Sequence, residues 1–251
     1  HGNVVHEADI AIRDEKFVLV APGIETARAK AVHDGRGQLA FPGVVDAHMH
    51  SGIYSPLAED AVSESKAAAM GGVTSSLNYF RTGQYYLNKG GPYRTFFPEV
   101  LAISKGRFHV DYGFHLAPMD RKHIDELPML IDKHGVASFK IFMFYGSHGL
   151  HGASNSQRDF LMSEVFPHID FKREVTIGHL MLDITSPAAE LAKVNPPIRP
   201  REDVEFLWDA LLAGELDWVV SDHACCRHET KIPKRYFGNI WMAKSGFGGT
   251  E

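Results

Sequence analysis

The stretch Phe41-Pro42-Gly43-Val44-Val45-Asp46-Ala47-His48-Met49-His50, FPGVVDAHMH, decides how the rest of the chain is read. An apolar run climbs to an aspartate and then delivers two histidines at i and i+2. Side chains two apart on a strand point to the same face. His48 and His50 therefore aim two imidazoles at one point, where a buried strand stops. Such a pair suits a Zn²⁺-like ion, which takes imidazole nitrogens at about 2.0–2.1 Å. The competing reading is two histidines on a surface loop. A lone histidine would favour that reading, and the shared face reverses the preference.

Downstream of this stretch the pattern is strand then helix, repeated. GVVDAHMH is a strand, DAVSESKAAAMGG a helix ending at Gly71–Gly72, and VTSSLNYF the next strand. PYRTFFPEVLAISKGR reads as a helix, FHVDYGFHLAP as a strand, HIDELPMLIDKHG as a helix and VASFKIFMFY as a strand. EVTIGHLML and LDWVVSDHA follow as strands around the helix REDVEFLWDALLAGE. Alternation of this kind signals an α/β fold with parallel strands. The polar clusters fall at the C-terminal ends of the strands, which is the catalytic face of a (β/α)8 barrel. Upstream, residues 1–40 read as a separate small β unit, with strands in NVVHEADIAI, KFVLVA, AKAVHDG and GQLAFPG. The expected division is thus a β portion over 1–40 and a barrel over 41–251.

Composition narrows the classes. A net charge of −5 argues against non-specific binding to nucleic acid or anionic membranes. No segment reaches the roughly 18 uncharged apolar residues of a spanning helix, and HGNVVHEADIAIRDE lacks the apolar core of a signal peptide. The two cysteines, Cys225 and Cys226, are adjacent, which excludes a disulfide framework and makes a reducing cytoplasm the expected compartment. They read as packing residues. Fifteen histidines is a high count and makes a metal or proton-transfer site worth seeking.

Two further strand ends carry chemistry. Lys140 lies inside the apolar run ASFKIFMFYGSHG, between Phe139 and Ile141. A buried lysine is costly unless it is paired or its pKa falls. It either snorkels to the strand end or stands as a neutral amine able to react with CO₂, giving a carbamate whose two oxygens can bridge two metal ions. Tyr145 would emerge five residues later with its hydroxyl free to donate. Asp222 closes the apolar run LDWVVSDHA, either as an N-cap for the next element or as a metal ligand that takes a proton from water.

Together these residues resemble the cyclic amidohydrolases of the hydantoinase/dihydropyrimidinase branch, in the amidohydrolase superfamily. The matching segments are FPGVVDAHMH, GGVTSSLNY, SFKIFMFY, VNPPIRPREDVEFLWDALLAGELDWVVSDHA and SGFGGTE, in the family's order. The resemblance implies a (β/α)8 TIM-type barrel beside a small β-sandwich that contains the N-terminal strands. It also implies two divalent metal ions, zinc by preference, bridged by a carboxylated lysine and a hydroxide, and hydrolytic opening of a cyclic amide or imide. By position, His48 and His50 would bind the more buried metal and Lys140 would be the carbamate bridge. Asp222 would be ligand and general base, Tyr145 would stabilise the oxyanion, and Asn195 would open the substrate-facing segment NPPIR. Tyr145 favours hydantoinase or dihydropyrimidinase over allantoinase or dihydroorotase. The implied partner is a small cyclic amide, and relatives of this kind are commonly tetramers, so a homo-oligomer is expected.

One departure stands out. The family has two further histidine ligands on strands between the lysine and the aspartate, and Lys140 and Asp222 are too close in sequence for the three βα units expected there. His168 and His179 are the nearest candidates, but neither sits in a matching motif. The expectation is that segments are missing between about 172 and 176, near FKREVTIG, and after 251, leaving the barrel incomplete. A shortened relative with a damaged second metal site is the other possibility, disfavoured because a partial barrel exposes strand edges and apolar faces. The rival functions are a non-catalytic assembly protein on the same fold, an amidohydrolase for another ring such as allantoin or dihydroorotate, and a deaminase. The bridging lysine counts against the deaminase.

Overall fold

A computed structural model describes residues 5–140, 172–224 and 226–250. The chain divides into two compact units, His1–Pro42 and Gly43–Glu251.

In the first unit, β1 (Asp9–Arg13) and β2 (Lys16–Ala21) form an antiparallel hairpin. Its two-residue turn, Asp14-Glu15, has positive φ at both positions (50° and 63°). That is the turn geometry whose twist matches paired strands. The strands expected in AKAVHDG and GQLAFPG do not form; both stretches are irregular. Val32 and Leu39 within them are exposed, and without a buried face or a paired edge alternation alone does not make a strand.

The second unit is built on parallel strands. β3 (Val44–Met49), β4 (Val73–Phe80) and β5 (Asp111–Leu116) form one parallel sheet in that order. β6 (Glu174–Thr176) and β7 (Trp218–Val220) form a parallel pair. Parallel bridges Met49–His223 and Leu116–Phe139 extend the arrangement, so the order runs β6, β7, β3, β4, β5 and then Phe139. The entry to β3 needs glycine for space: a Cβ on Gly43 would lie 2.2 Å from Thr74 side-chain atoms.

Helices connect the strands as the parallel pairing requires. α1 (Leu57–Met70) carries Glu59 and Asp60 in its first turn, where the helix dipole favours acids. α2 (Tyr93–Ser104) begins after Pro92, and its first free N–H groups, Tyr93 and Arg94, donate to the buried Glu126 carboxylate at 2.7 and 3.1 Å. The helix expected over 123–135 is broken into α3 (Arg121–Asp125) and α4 (Leu127–His134). Pro128 sits in the first turn of α4, where its missing N–H costs nothing. EVTIGHLML, expected as one strand, is a strand only as far as Thr176. α5 (Ile177–Met181) follows because the Thr176 hydroxyl caps the His179 N–H at 3.3 Å. α6 (Arg201–Leu212) precedes β7, and the short α7 (His228–Lys231) follows it. No helix among the described residues is long and apolar enough to cross a membrane.

The principal core is aromatic. Tyr79, Phe80, Tyr86, Tyr93, Phe96, Phe97 and Phe114 pack with Leu116, Leu130 and Val136 between β4, β5 and the helices around them. Edge-to-face contacts such as Phe80–Phe114 (5.8 Å) and Phe97–Phe114 (5.7 Å) give that packing its geometry.

Candidate metal centre

The end of β3 is clamped before any ligand is placed. Buried Asp46 accepts from the backbone N–H groups of His48 and Ser221, both at 3.2 Å, and from the Thr250 hydroxyl at 3.0 Å. The His50 N–H donates to the His223 carbonyl at 2.7 Å. The strand that carries the histidines is thereby tied to the loop that carries Asp222. Asp222 itself has φ 51°, a left-handed conformation that aspartate tolerates better than most residues and that often marks a functional position.

Three ligand atoms converge. His48 Nε2 and His50 Nε2 are 3.1 Å apart, and Asp222 Oδ1 lies 2.9 Å from His50 Nε2 and 3.4 Å from His48 Nε2. A tetrahedral ion with bonds of about 2.0–2.1 Å would hold its ligand atoms about 3.3–3.4 Å apart. The triangle, with edges of 3.1, 2.9 and 3.4 Å, is slightly tighter than one face of such a site, and two imidazoles with a carboxylate are a donor set that suits zinc.

The electrostatics agree with ligation. Burial is the largest influence on His50 and lowers its pKa to about 4, so the imidazole is neutral, as a ligand must be. For Asp222, burial works upward but is outweighed by the electrostatic influence of the groups around it and by the His50 hydrogen bond. The carboxyl is held well below its ordinary value and is ionised.

Of the other predicted residues, Lys140 joins the cluster, with Nζ 2.6 Å from His48 Nε2. Asn195 lies beside it in a cavity of about 370 Å³, whose lining includes His50, Tyr54, Lys140, Asp222 and Lys244. Its side-chain amide donates to Ser245 Oγ at 2.8 Å. His179 is not a ligand: its ring nitrogens bond the Thr176 hydroxyl at 2.6 Å and the Pro196 carbonyl at 2.9 Å. The cap that turns EVTIGHLML into α5 removes it from the site. Tyr145, His168 and Cys225 lie outside the described residues. Cys226 is a partly buried free thiol whose pKa is raised by burial.

Three residues that sequence reasoning missed complete the surroundings. Glu174 Oε1 lies 2.7 Å from His48 Nδ1 and 3.8 Å from Lys140 Nζ. Burial raises the Glu174 pKa, but the His48 hydrogen bond and nearby positive charge more than reverse this, to about 2. Tyr86 Oη lies 2.6 Å from His50 Nδ1. It arrives on a loop with positive φ at Tyr85, Leu87 and Asn88. Arg81 is buried and also lines the cavity; its guanidinium sits 5.4 Å over the Tyr86 ring. Its Nε has no hydrogen-bond partner among the described residues.

Comparison with known proteins gives the class. No protein-family model matches the chain. It is 32% identical to a D-hydantoinase of Geobacillus stearothermophilus over 146 residues, covering 56% of this chain and 30% of the relative. It is 32% identical to a dihydroorotase of Thermoplasma volcanium over 155 residues, covering 61% of this chain and 35% of the relative. It is also 26% identical to an allantoinase of Rubrobacter xylanophilus over 325 aligned residues, 95% of this chain and 69% of the relative. The chain thus spans about a third of the length of the first two. The third alignment is longer than the chain itself, so that relative has internal residues with no counterpart here. In fold, the chain superposes on a D-hydantoinase from a Bacillus species with TM-score 0.78 at 20% identity, over 99% of this chain and 72% of the other. The chain is a homologue of the cyclic amidohydrolases.

Proposed function

We propose that this chain forms the catalytic part of a metal-dependent hydrolase with a (β/α)8 barrel, opening the C–N bond of a hydantoin or dihydropyrimidine ring. The observation that carries the proposal is the convergence of His48 Nε2, His50 Nε2 and Asp222 Oδ1 at close to tetrahedral spacing beside a cavity. The cavity falls in the size range of small-molecule sites, about 300–1,000 Å³.

Two divalent ions are proposed, with zinc the preferred metal; His48, His50 and Asp222 would hold the first. Lys140, as its carbamate, would be the ligand shared with the second. When bound, such ions acidify water and polarise the scissile carbonyl. The rest is done by side chains of this chain. Asp222, ionised and in the cluster, accepts the proton of the attacking water and passes it to the leaving ring nitrogen. Tyr145 is assigned the hydrogen bond to the carbonyl oxygen as it gains negative charge. Asn195 and Arg81 supply polar groups to the ring, with the Arg81 Nε–H available to a ring carbonyl.

A panel of hydantoin, dihydrouracil, allantoin, dihydroorotate and simple cyclic imides, with metal content measured on the same sample, tests this reading. Turnover of hydantoin or dihydrouracil by zinc-containing protein is expected. Turnover confined to allantoin or dihydroorotate would move the chain to those branches. A metal-free protein that turns over no ring, even with zinc added, would mean a non-catalytic assembly protein on this fold.

A further inference from the structure

We infer that Glu174 is a positioning residue for the metal centre, fixing His48 in the tautomer that presents Nε2 to the ion. The inference rests on the metal reading above and adds a residue to it.

His48 has two ring nitrogens with different surroundings. Nε2 faces His50 Nε2, Asp222 Oδ1 and Lys140 Nζ, at 3.1, 3.4 and 2.6 Å. Nδ1 faces Glu174 Oε1 at 2.7 Å, with Lys140 Nζ, which sits nearer Nε2, further off at 3.3 Å. A carboxylate oxygen at that distance accepts a proton and has none to give, so the neutral ring carries its hydrogen on Nδ1. Nε2 then holds its lone pair toward the cluster. The same bond sets the angle of the ring and makes the imidazole a stronger donor. His50 has a corresponding partner in Tyr86 Oη at 2.6 Å, but a hydroxyl can donate as well as accept and does not dictate the tautomer. The two histidines are therefore not equivalent: His48 has a carboxylate on Nδ1, the nitrogen turned away from the cluster, whereas the carboxylate beside His50, Asp222, lies on its Nε2 within the cluster.

Glu174 also approaches Lys140, at 3.8 Å. The experiment separates a role toward the Lys140 side chain from one toward His48.

Zinc affinity is measured on the full chain by competition with a chromophoric chelator, for wild type, Glu174→Ala and Glu174→Gln. The alanine and glutamine changes are also made in a Lys140→Ala background. Histidine side-chain ¹⁵N spectra report the His48 tautomer on the same proteins. Glu174→Ala is expected to weaken zinc binding by about 10–100-fold and to release His48 into a mixture of tautomers. Glu174→Gln offers an amide that can donate as well as accept, so it should no longer hold a single tautomer, while losing less affinity than the alanine variant. Both effects should persist without Lys140. Wild-type affinity and an unchanged His48 spectrum in Glu174→Ala would overturn the inference, as would effects that vanish once Lys140 is removed. If Glu174→Ala fails to fold, the glutamine variant decides: wild-type affinity with an unchanged His48 spectrum there also overturns it. A wild type that binds no zinc would instead sink the metal reading, an outcome visible before any variant is compared.

Discussion

Residues 43–140 and 172–250 of the second unit do different things. The first stretch contributes every residue of the buried hydrophobic clusters found among the described residues, from Met49 to Val136. The second contributes none to those clusters and exposes Phe206, Leu212 and Trp241 on its surface. Yet among the described residues both carboxylates that touch the His48 and His50 rings, Asp222 and Glu174, come from the second stretch. One region supplies a rigid aromatic frame that holds the imidazoles. The other brings the acids to them, through short strands and a loop in a left-handed conformation. Stability and chemistry should therefore be separable by mutation.

The strongest way to break this division is at Asp222. Proton transfer by a placed side chain is typically worth about 10²–10⁴ in rate, and the same group is proposed above as a metal ligand. Asp222→Asn tolerates the positive φ, so the fold should survive. Turnover should fall by about 10⁴ or more, on the order of 5.5 kcal/mol of barrier, with zinc lost, while the urea midpoint stays near wild type. A midpoint that fell with activity would show that the second stretch also holds the fold.

The converse variant is Phe97→Ala. Phe97 is buried between Phe114 and His134. Such a truncation costs about 3–5 kcal/mol. Zinc affinity of the protein that remains folded should be unchanged. Leu212→Ala, at an exposed position of the second stretch, should stay within about 0.5 kcal/mol of wild type. Comparable losses in the two variants would erase the contrast.

The same contrast explains what could be read from sequence. β4 spans the same residues, Val73–Phe80, that the apolar pattern marks, and α2 fills most of its marked stretch, because a packed core enforces period and register. The i, i+2 histidines were legible for the same reason: a strand has only two faces. Glu174 was not. It opens a strand of three residues, and nothing local says that a carboxylate there reaches His48, 126 positions away. Tyr86 sits in TGQYYLNKG, where successive left-handed residues leave no periodicity to read. EVTIGHLML is not one strand because its alternation says nothing of the Thr176 cap. Long-range polar contacts and side-chain caps are invisible to hydrophobic period.

The seam between the two stretches gives the smallest and most specific test. Asp60, on α1, is buried and accepts from the Gly52 N–H at 2.8 Å. One turn further along α1, Glu64 bonds His223 of the second stretch at 2.7 Å. Burial is the main influence on Asp60 and raises its pKa from 3.8 to about 6, with the neighbouring Glu64 charge adding to it. A raised acid reverses the common carboxylate case. Between about pH 4 and 6 the folded chain binds more protons at Asp60 than the unfolded chain. Its contribution to stability therefore falls as pH rises through that window and stays low above about 6. The full swing is on the order of 3 kcal/mol. Asp60→Asn keeps an acceptor for Gly52 and removes the charge. Urea unfolding at pH 4.5, 6 and 7.5 should show the variant gaining on wild type as pH rises, by up to that amount. A difference that is constant with pH would mean that Asp60 is ionised without penalty, and that the seam is open to water at α1.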